Sequence, residues 1–175
     1  MKFTFRRMVR DDIPLMHRWL NLPHVAEWWG GDSLEDVTKE YGEYIDGTEP
    51  IHPYIAYADG VAIGHLQWMR YRDYPKYMQI LRIDDPDAAN CDVFIADEDF
   101  LHRGVGAPLI RAFAFEIIFA DAFPSVTTCF IDPDARNKIA IGAYEKAGFR
   151  FVRRIEDDGE GHAVHLMSRG NRHET

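Results

Sequence analysis

The second half of the chain alternates strand-like and helix-like segments in close succession, and that alternation limits what it can fold into. Cys91 to Ile95 reads as a short strand. Gly104 to about Phe119 follows as a helix with Val105, Leu109, Phe113 and Ile117 at helical spacing, and Val126 to Ile131 is strand-like again. Lys138 to Ala147 is a second helix, stopped by Gly148, and Phe149 to Ile155 a third strand. A strand reached through a helical crossover lies parallel to its predecessor, so this half requires a parallel pair. The turn Glu156 to Gly161 then leads to a last strand, His162 to about Ser168.

The first half is built differently. Phe3 to Met8 alternates as a strand, and Asp11-Asp12-Ile13-Pro14 offers a capping carboxylate followed by a proline in a first helical turn. Leu15, Trp19 and Leu20 are the expected buried stripe of that helix, Pro23 its end, and Glu27-Trp28-Trp29-Gly30-Gly31 a loop. A second helix is expected from Ser33 or Leu34 to about Ile45, capped by Ser33 or Asp32. His52 to Tyr57 and Val61 to about Met69 form a hairpin, because Ala58-Asp59-Gly60 supplies the positive backbone angles of a tight turn. Tyr71 to Asn90 is polar, aromatic and punctuated by proline, a long irregular connection of the kind that carries function. Together these elements predict a single α/β (α+β) domain over residues 1–170, with a mixed, mostly antiparallel central sheet flanked by helices and a frayed tail at 171–175.

A length of 175 residues suits one well-filled domain, and 46% hydrophobic with 28% charged residues is ordinary for a globular protein. The formal net charge of -9 argues against a nucleic-acid partner, which needs clustered Lys and Arg, and suits a cationic small molecule or simple solubility. No apolar run approaches a membrane span, and Met1-Lys2-Phe3-Thr4-Phe5-Arg6-Arg7 lacks a secretory signal, which makes the cytoplasm the expected location. Nothing in the sequence decides between a monomer and a homodimer. Cys91 and Cys129 read as buried small residues. The histidines show no zinc-binding spacing, so no metal is expected, and no Gly-x-Ser-x-Gly marks a hydrolase nucleophile.

Several residues carry chemistry. Arg103-Gly104-Val105-Gly106-Ala107 precedes an apolar helix, where unpaired amides and the helix dipole attract an anion; it matches neither the dinucleotide fingerprint nor the P-loop. Tyr144 is a lone phenol in an apolar helical pattern that stops at Gly148-Phe149, and a phenol near pKa 10 is a suitable proton donor to a thiolate. Asp92 begins the strand Cys91 to Ile95 and Asp132 ends the next parallel strand, and both acids are expected to project at the carboxyl edge where open sheets place ligands.

With Asn137 and Ala140 added, the glycine loop and the Tyr144 helix resemble the cofactor motifs of the GCN5-related N-acetyltransferase (GNAT) superfamily. Trp19-Leu20-Asn21, His24, Glu27-Trp28-Trp29-Gly30-Gly31, Pro53-Tyr54-Ile55-Ala56, Asp132-Pro133 and Tyr144-Glu145-Lys146-Ala147-Gly148-Phe149 are similar to segments of its aminoglycoside 6'-N-acetyltransferases. The resemblance implies acetyl-CoA as cofactor, a splayed parallel strand pair that binds it, and direct acetyl transfer to an aminoglycoside amine, with antibiotic resistance as the outcome. Amides of Gly104, Val105, Gly106 and Ala107 beside Arg103 would hold the pyrophosphate. Asn137 would bond the pantetheine arm or a nearby backbone group. The backbone of Val93, Phe94 and Ile95 would polarise the thioester, Asp92 would take the amine proton, and Tyr144 would protonate the sulfur. Trp28, Trp29, Tyr41, Glu49, Gln67, Asp92, Asp132 and Asp158 would line the substrate pocket. Leu101 stands where the superfamily often has Gln or Arg, and Tyr71 to Asn90 aligns with no part of the pattern. Rival readings are an acetyltransferase for a siderophore hydroxylamine or a protein N-terminus, and a non-catalytic coenzyme A sensor.

Overall fold

Seven strands in the order β1-β2-β3-β4-β5-β7-β6 make one mixed sheet: β1 Phe3–Arg7, β2 Ile51–Ala58, β3 Val61–Arg70, β4 Ala89–Ile95, β5 Thr128–Ile131, β6 Arg150–Ile155 and β7 Val164–Gly170. The structure is a computed structural model that describes residues 1–122 and 126–171; of the tail expected at 171–175, residues 172–175 lie outside them. Strands β1 and β2, β5 and β7, and β6 and β7 pair antiparallel, whereas β4 and β5 are parallel, paired at Ala89↔Cys129 and Asn90↔Phe130. The contacts divide the chain into two compact units, the first made of Met1–Gln67 and Asp92–Arg103, the second of Trp68–Cys91 and the chain from Gly104 onward.

In the first unit, α1 (Ile13–Leu20), α2 (Pro23–Trp29) and α3 (Leu34–Asp46) bury Ile13, Met16, Trp19, Leu20, Val25, Val37 and Tyr41 in one cluster with Ile55 and Phe94. The stripe on α1 is Ile13, Met16, Trp19 and Leu20, and Leu15 is only half-buried, one position off the expected face. Asp12 does not cap α1 with its side chain. Both its oxygens accept from Arg6 at 2.8 Å, which holds its carboxyl below the usual range. Ser33 does cap α3, its Oγ accepting from the Asp36 amide at 3.1 Å. Residues 27–29, expected as a loop, are helical: Pro23 does not merely follow α1 but opens α2, since a first-turn proline loses no helical hydrogen bond. The hairpin turn is as expected, with positive φ at both Asp59 and Gly60.

In the second unit the segment 71–90 is not irregular throughout. It carries α4 (Pro75–Leu81), and β4 begins at Ala89, two residues before the expected Cys91, so Asp92 lies in the middle of the strand and not at its end as expected. The apolar helix α5 (Gly106–Phe113) continues as a π-helix over Ala114–Ala122. The wider repeat there places Ile118, five residues after Phe113, in the core in place of the expected Ile117. Helix α6 (Lys138–Lys146) packs against α5 and β6. Cys91 and Cys129 are buried free thiols.

One contact in the first unit is fixed by what a residue lacks. A Cβ on Gly64, in β3, would lie 2.2 Å from the Phe94 carbonyl oxygen, a backbone atom that cannot swing away. Gly64→Ala is therefore expected to lower stability by about 3 kcal/mol, the upper end of overpacking costs. Gly142→Ala on α6, where an added Cβ meets nothing within 4 Å, should raise it by about 0.5–1 kcal/mol. Urea unfolding midpoints of the two variants against the parent chain check both signs.

Candidate active site

Close approach at Gly64 sets the geometry of the first cluster. Ile63 accepts from the amides of Ala96 at 2.8 Å and Asp97 at 3.1 Å, and His24 Nε2 lies 3.1 Å from the Ile95 carbonyl, so the backbone of Val93–Ile95 is pinned from two directions. The next residue of β3, His65, is fully buried, its ring 5.4 Å from Phe94, 5.6 Å from Tyr41 and 5.8 Å from Trp29. Two residues on, Gln67 meets His65 Nε2 with its Oε1 at 3.3 Å and donates through Nε2 to Asp92 Oδ2 at 3.2 Å. Four of the expected residues, Trp29, Tyr41, Gln67 and Asp92, are therefore gathered about a histidine that no sequence motif singles out. The period-two spacing of His65 and Gln67 on one strand face is its available signal.

The electrostatics of this cluster are set by burial and negative charge. Tyr41 keeps its proton well above the ordinary phenol range, first because it is buried and then because Glu40, Tyr44, Asp92 and Asp32 add negative charge. Burial lowers His65 to about 4, against support from Gln67 and the Tyr54 backbone, so the ring is neutral at neutral pH. Trp28 and Trp29 are successive positions of α2 and diverge: Trp28 is exposed, while Trp29 packs edge to face with Phe94, their ring centroids 4.9 Å apart. Glu49 lies past the end of α3, half-buried, its amide donating to the Glu43 carbonyl at 3.3 Å.

The second unit holds the remaining acids. Asp132, half-buried after β5, accepts from Asn90 Nδ2 at 2.8 Å and from the Tyr77 hydroxyl. Burial raises its pKa, the charge of Asp158 raises it further, and the two hydrogen bonds oppose the shift. Asp158 folds its own turn, its Oδ1 accepting from the amides of Glu160 at 2.9 Å and His162 at 3.0 Å. Asp158, Glu160 and His162 also bring possible ligand atoms within 4.8 Å of one another, but on a mostly exposed turn whose acid already serves the backbone. Tyr77 and Asn90 are additions to the expected residues, and no sequence motif singles out Tyr77.

Tyr144 lies on α6, buried, with its ring 6.2 Å from Phe149. Asn137 caps this helix, its Oδ1 accepting from the Ala140 amide at 3.0 Å, which is the backbone alternative expected for it. Ahead of α5 the chain takes left-handed conformations at His102 and Gly104, and no side chain caps the helix at Val105, nor does its first turn hold an acid. Backbone donors at that terminus, with Gly106 and Ala107 opening the helix and the exposed Arg103 just before it, suit an anionic group such as a pyrophosphate.

Residues 8–157 match the model of the acetyltransferase (GNAT) domain. The chain belongs to the GNAT acetyltransferase family. It is 35% identical over 157 residues to aminoglycoside N(6')-acetyltransferase type 1 of Klebsiella pneumoniae, across 83% of this chain and 73% of that protein. It is 26% identical to the lysine N-acyltransferase MbtK of Mycolicibacterium paratuberculosis, across 86% of this chain and 66% of that one. The structure is similar to that of the aminoglycoside acetyltransferase AAC(6')-Ib in complex with coenzyme A and kanamycin, with a TM-score of 0.84, 32% identity, and coverage of 97% of this chain and 95% of that one. As a GNAT domain it is an acyltransferase that uses acetyl-CoA. No helix among the described residues is long and apolar enough to cross a membrane.

The neutral His65 ties stability to pH. The unfolded chain takes up a proton on this residue below its ordinary value of 6.5, whereas the folded chain resists until about 4, so stability is lost as pH falls through that window. The loss between pH 7.5 and 4.5 should be about 2–3 kcal/mol, at ~1.4 kcal/mol for every pH step over which only the unfolded chain carries the proton. In urea titrations, His65→Phe should lose less stability than the parent over that interval, by about this amount.

Proposed function

We propose that this chain transfers the acetyl group of acetyl-CoA to the 6'-amine of aminoglycoside antibiotics, as a single catalytic domain over residues 1–170 acting in the cytoplasm. The observation that carries the substrate class is Asp132. It is a half-buried acid whose hydrogen-bond partners, Tyr77 and Asn90, are both neutral, and it lies near enough to Asp158 to feel its charge. An ammonium group of a polycation supplies the charge that this acid lacks. The acids about Tyr41 favour a cation in the first cluster for the same reason. A hydroxylamine brings no positive charge to these two acid clusters, and a peptide terminus brings only one.

The proposed chemistry assigns one task to each group. Acetyl-CoA supplies an activated acyl carbon as a thioester. Asp92, oriented by the Gln67 amide, takes the proton of the attacking ammonium group, directly or through water, so that a neutral amine reaches that carbon. Backbone amides of Val93, Phe94 and Ile95 would polarise the carbonyl, and Tyr144 would give its hydroxyl proton to the sulfur as the C–S bond breaks and regain one from the nitrogen that has formed the new C–N bond. The amides of Gly104, Val105, Gly106 and Ala107, with Arg103, hold the pyrophosphate, and the Asn137-capped helix presents the phenol. Trp28, Trp29, Tyr41, Glu49, Gln67, Asp132 and Asp158 contact the sugar rings and their ammonium groups. Loss of one positive charge and added bulk weaken the drug's hold on ribosomal RNA phosphates, which confers resistance.

Thiol release from acetyl-CoA, measured with kanamycin, a lysine-derived hydroxylamine and an amine-terminated peptide, tests the reading. Rapid release with kanamycin alone is expected; release with the hydroxylamine alone would transfer the assignment to siderophore chemistry, and coenzyme A binding without release would indicate a sensor. Asp92→Asn and Tyr144→Phe should each lower kcat by about 10²–10⁴ without loss of the folded state, the range for a general base or acid. A Tyr144→Phe enzyme with full kcat would remove Tyr144 from the mechanism.

A further inference from the structure

Helix α4 is mounted on the second unit as a fixed arm. Tyr71 and Arg72 donate their amides to the carbonyls of Ala88 and Pro86, both at 3.1 Å, and Arg70 and Arg72 both pair with Asp87, which closes the neck of the excursion. Its far end is held as well: Arg153 donates to the Arg82 carbonyl at 2.9 Å, and a Cβ on Gly159 would lie 3.0 Å from Ile80 Cδ1. The Tyr77 ring stacks on Tyr71, with centroids 6.2 Å apart and an angle of 23°. This arrangement delivers the Tyr77 hydroxyl to Asp132 Oδ2.

The two donors to Asp132 differ in kind. Asn90 belongs to β4, is almost fully buried, and divides its Nδ2 between Asp132 Oδ1 and the Tyr71 hydroxyl at 3.1 Å, so it belongs to the permanent framework. Tyr77 is half-buried on a seven-residue helix, and a phenol can leave the carboxylate by rotation of its side chain. A charged donor binds a carboxylate about twice as strongly as a neutral one.

We propose that Tyr77 determines specificity as an internal competitor at Asp132: its phenol occupies Oδ2 in the free enzyme and is displaced by a substrate ammonium. The proposal rests on the reading of Asp132 as the acid that binds a cationic substrate. Its consequence is that part of each substrate's binding energy is spent on breaking the Tyr77 hydrogen bond, which disfavours ligands that bring no positive charge to that oxygen.

Removal of the hydroxyl should then improve the enzyme, an outcome that a merely structural tyrosine would not produce. Tyr77→Phe is expected to raise kcat/KM for kanamycin about tenfold, through a lower KM, which is the scale of a hydrogen bond to a charged group. In an Asp132→Asn background the same substitution should leave kcat/KM within about twofold. A kcat/KM that is unchanged or lower in Tyr77→Phe overturns the competition alone, as does an equal gain in the Asp132→Asn background. A parent enzyme that neither binds nor acetylates kanamycin overturns the aminoglycoside reading, and the competition with it.

Discussion

The absence of a side chain at Gly64 is the constraint on which the first unit depends. With its would-be Cβ position 2.2 Å from the Phe94 oxygen, β3 and the end of β4 meet as bare backbone, and no residue other than glycine fits. That contact fixes where the carbonyl groups of Phe94 and Ile95 lie and sends the next side chain, His65, into a box of Trp29, Tyr41 and Phe94. It also places Gln67, two residues further along the strand, beside Asp92. A backbone approach that costs conformational entropy in the unfolded chain is offset by a preformed array of polar groups in the folded one.

Burial acts on the polar groups of the two units with opposite results. His65 and Tyr41 respond by staying neutral, which removes their charges from the array. Asp132 is raised by burial too, but Tyr77 and Asn90 hydrogen-bond its oxygens and oppose the shift. Two neutral donors stabilise a carboxylate without cancelling it, so the acid keeps its attraction for a cation. A lysine or arginine in either position would have settled the charge internally.

Sequence alone discloses the features that local rules govern. The Asp59-Gly60 turn, the Ser33 cap and the stop at Gly148 are legible because each rests on a single residue type suited to one backbone conformation. Crossover connections make the parallel pair legible as well. What fails depends on tertiary context. Pro23 is equally compatible with ending one helix and starting the next, and the helical α2 reads as a loop for that reason. Ile117 and Ile118 exchange places only because the helix widens after Phe113, which no periodicity of ordinary pitch anticipates. His65 and Asn90 look like ordinary strand residues, and Tyr77 belongs to a polar, aromatic stretch in which no single residue stands out.

The run Tyr144-Glu145-Lys146-Ala147-Gly148-Phe149 shows why a motif must be divided before it is read as chemistry. Gly148 donates its amide to the Glu145 carbonyl at 3.0 Å and Phe149 donates to the Tyr144 carbonyl at 2.9 Å, the paired bonds of a left-handed helix end. Gly148 has a φ of 91° and leaves room for Arg169, whose Nη1 would lie 2.2 Å from a Cβ there. Phe149 meets the Tyr144 ring, the apolar contact that accompanies such an ending. Glycine and phenylalanine are thus accounted for by the way the helix stops, and so are the carbonyl and ring of the tyrosine. Only the hydroxyl of Tyr144 goes unused in that ending, for a phenylalanine would make the same bonds and nearly the same contact. A hydroxyl that the helix end does not need is where a chemical role has to be sought.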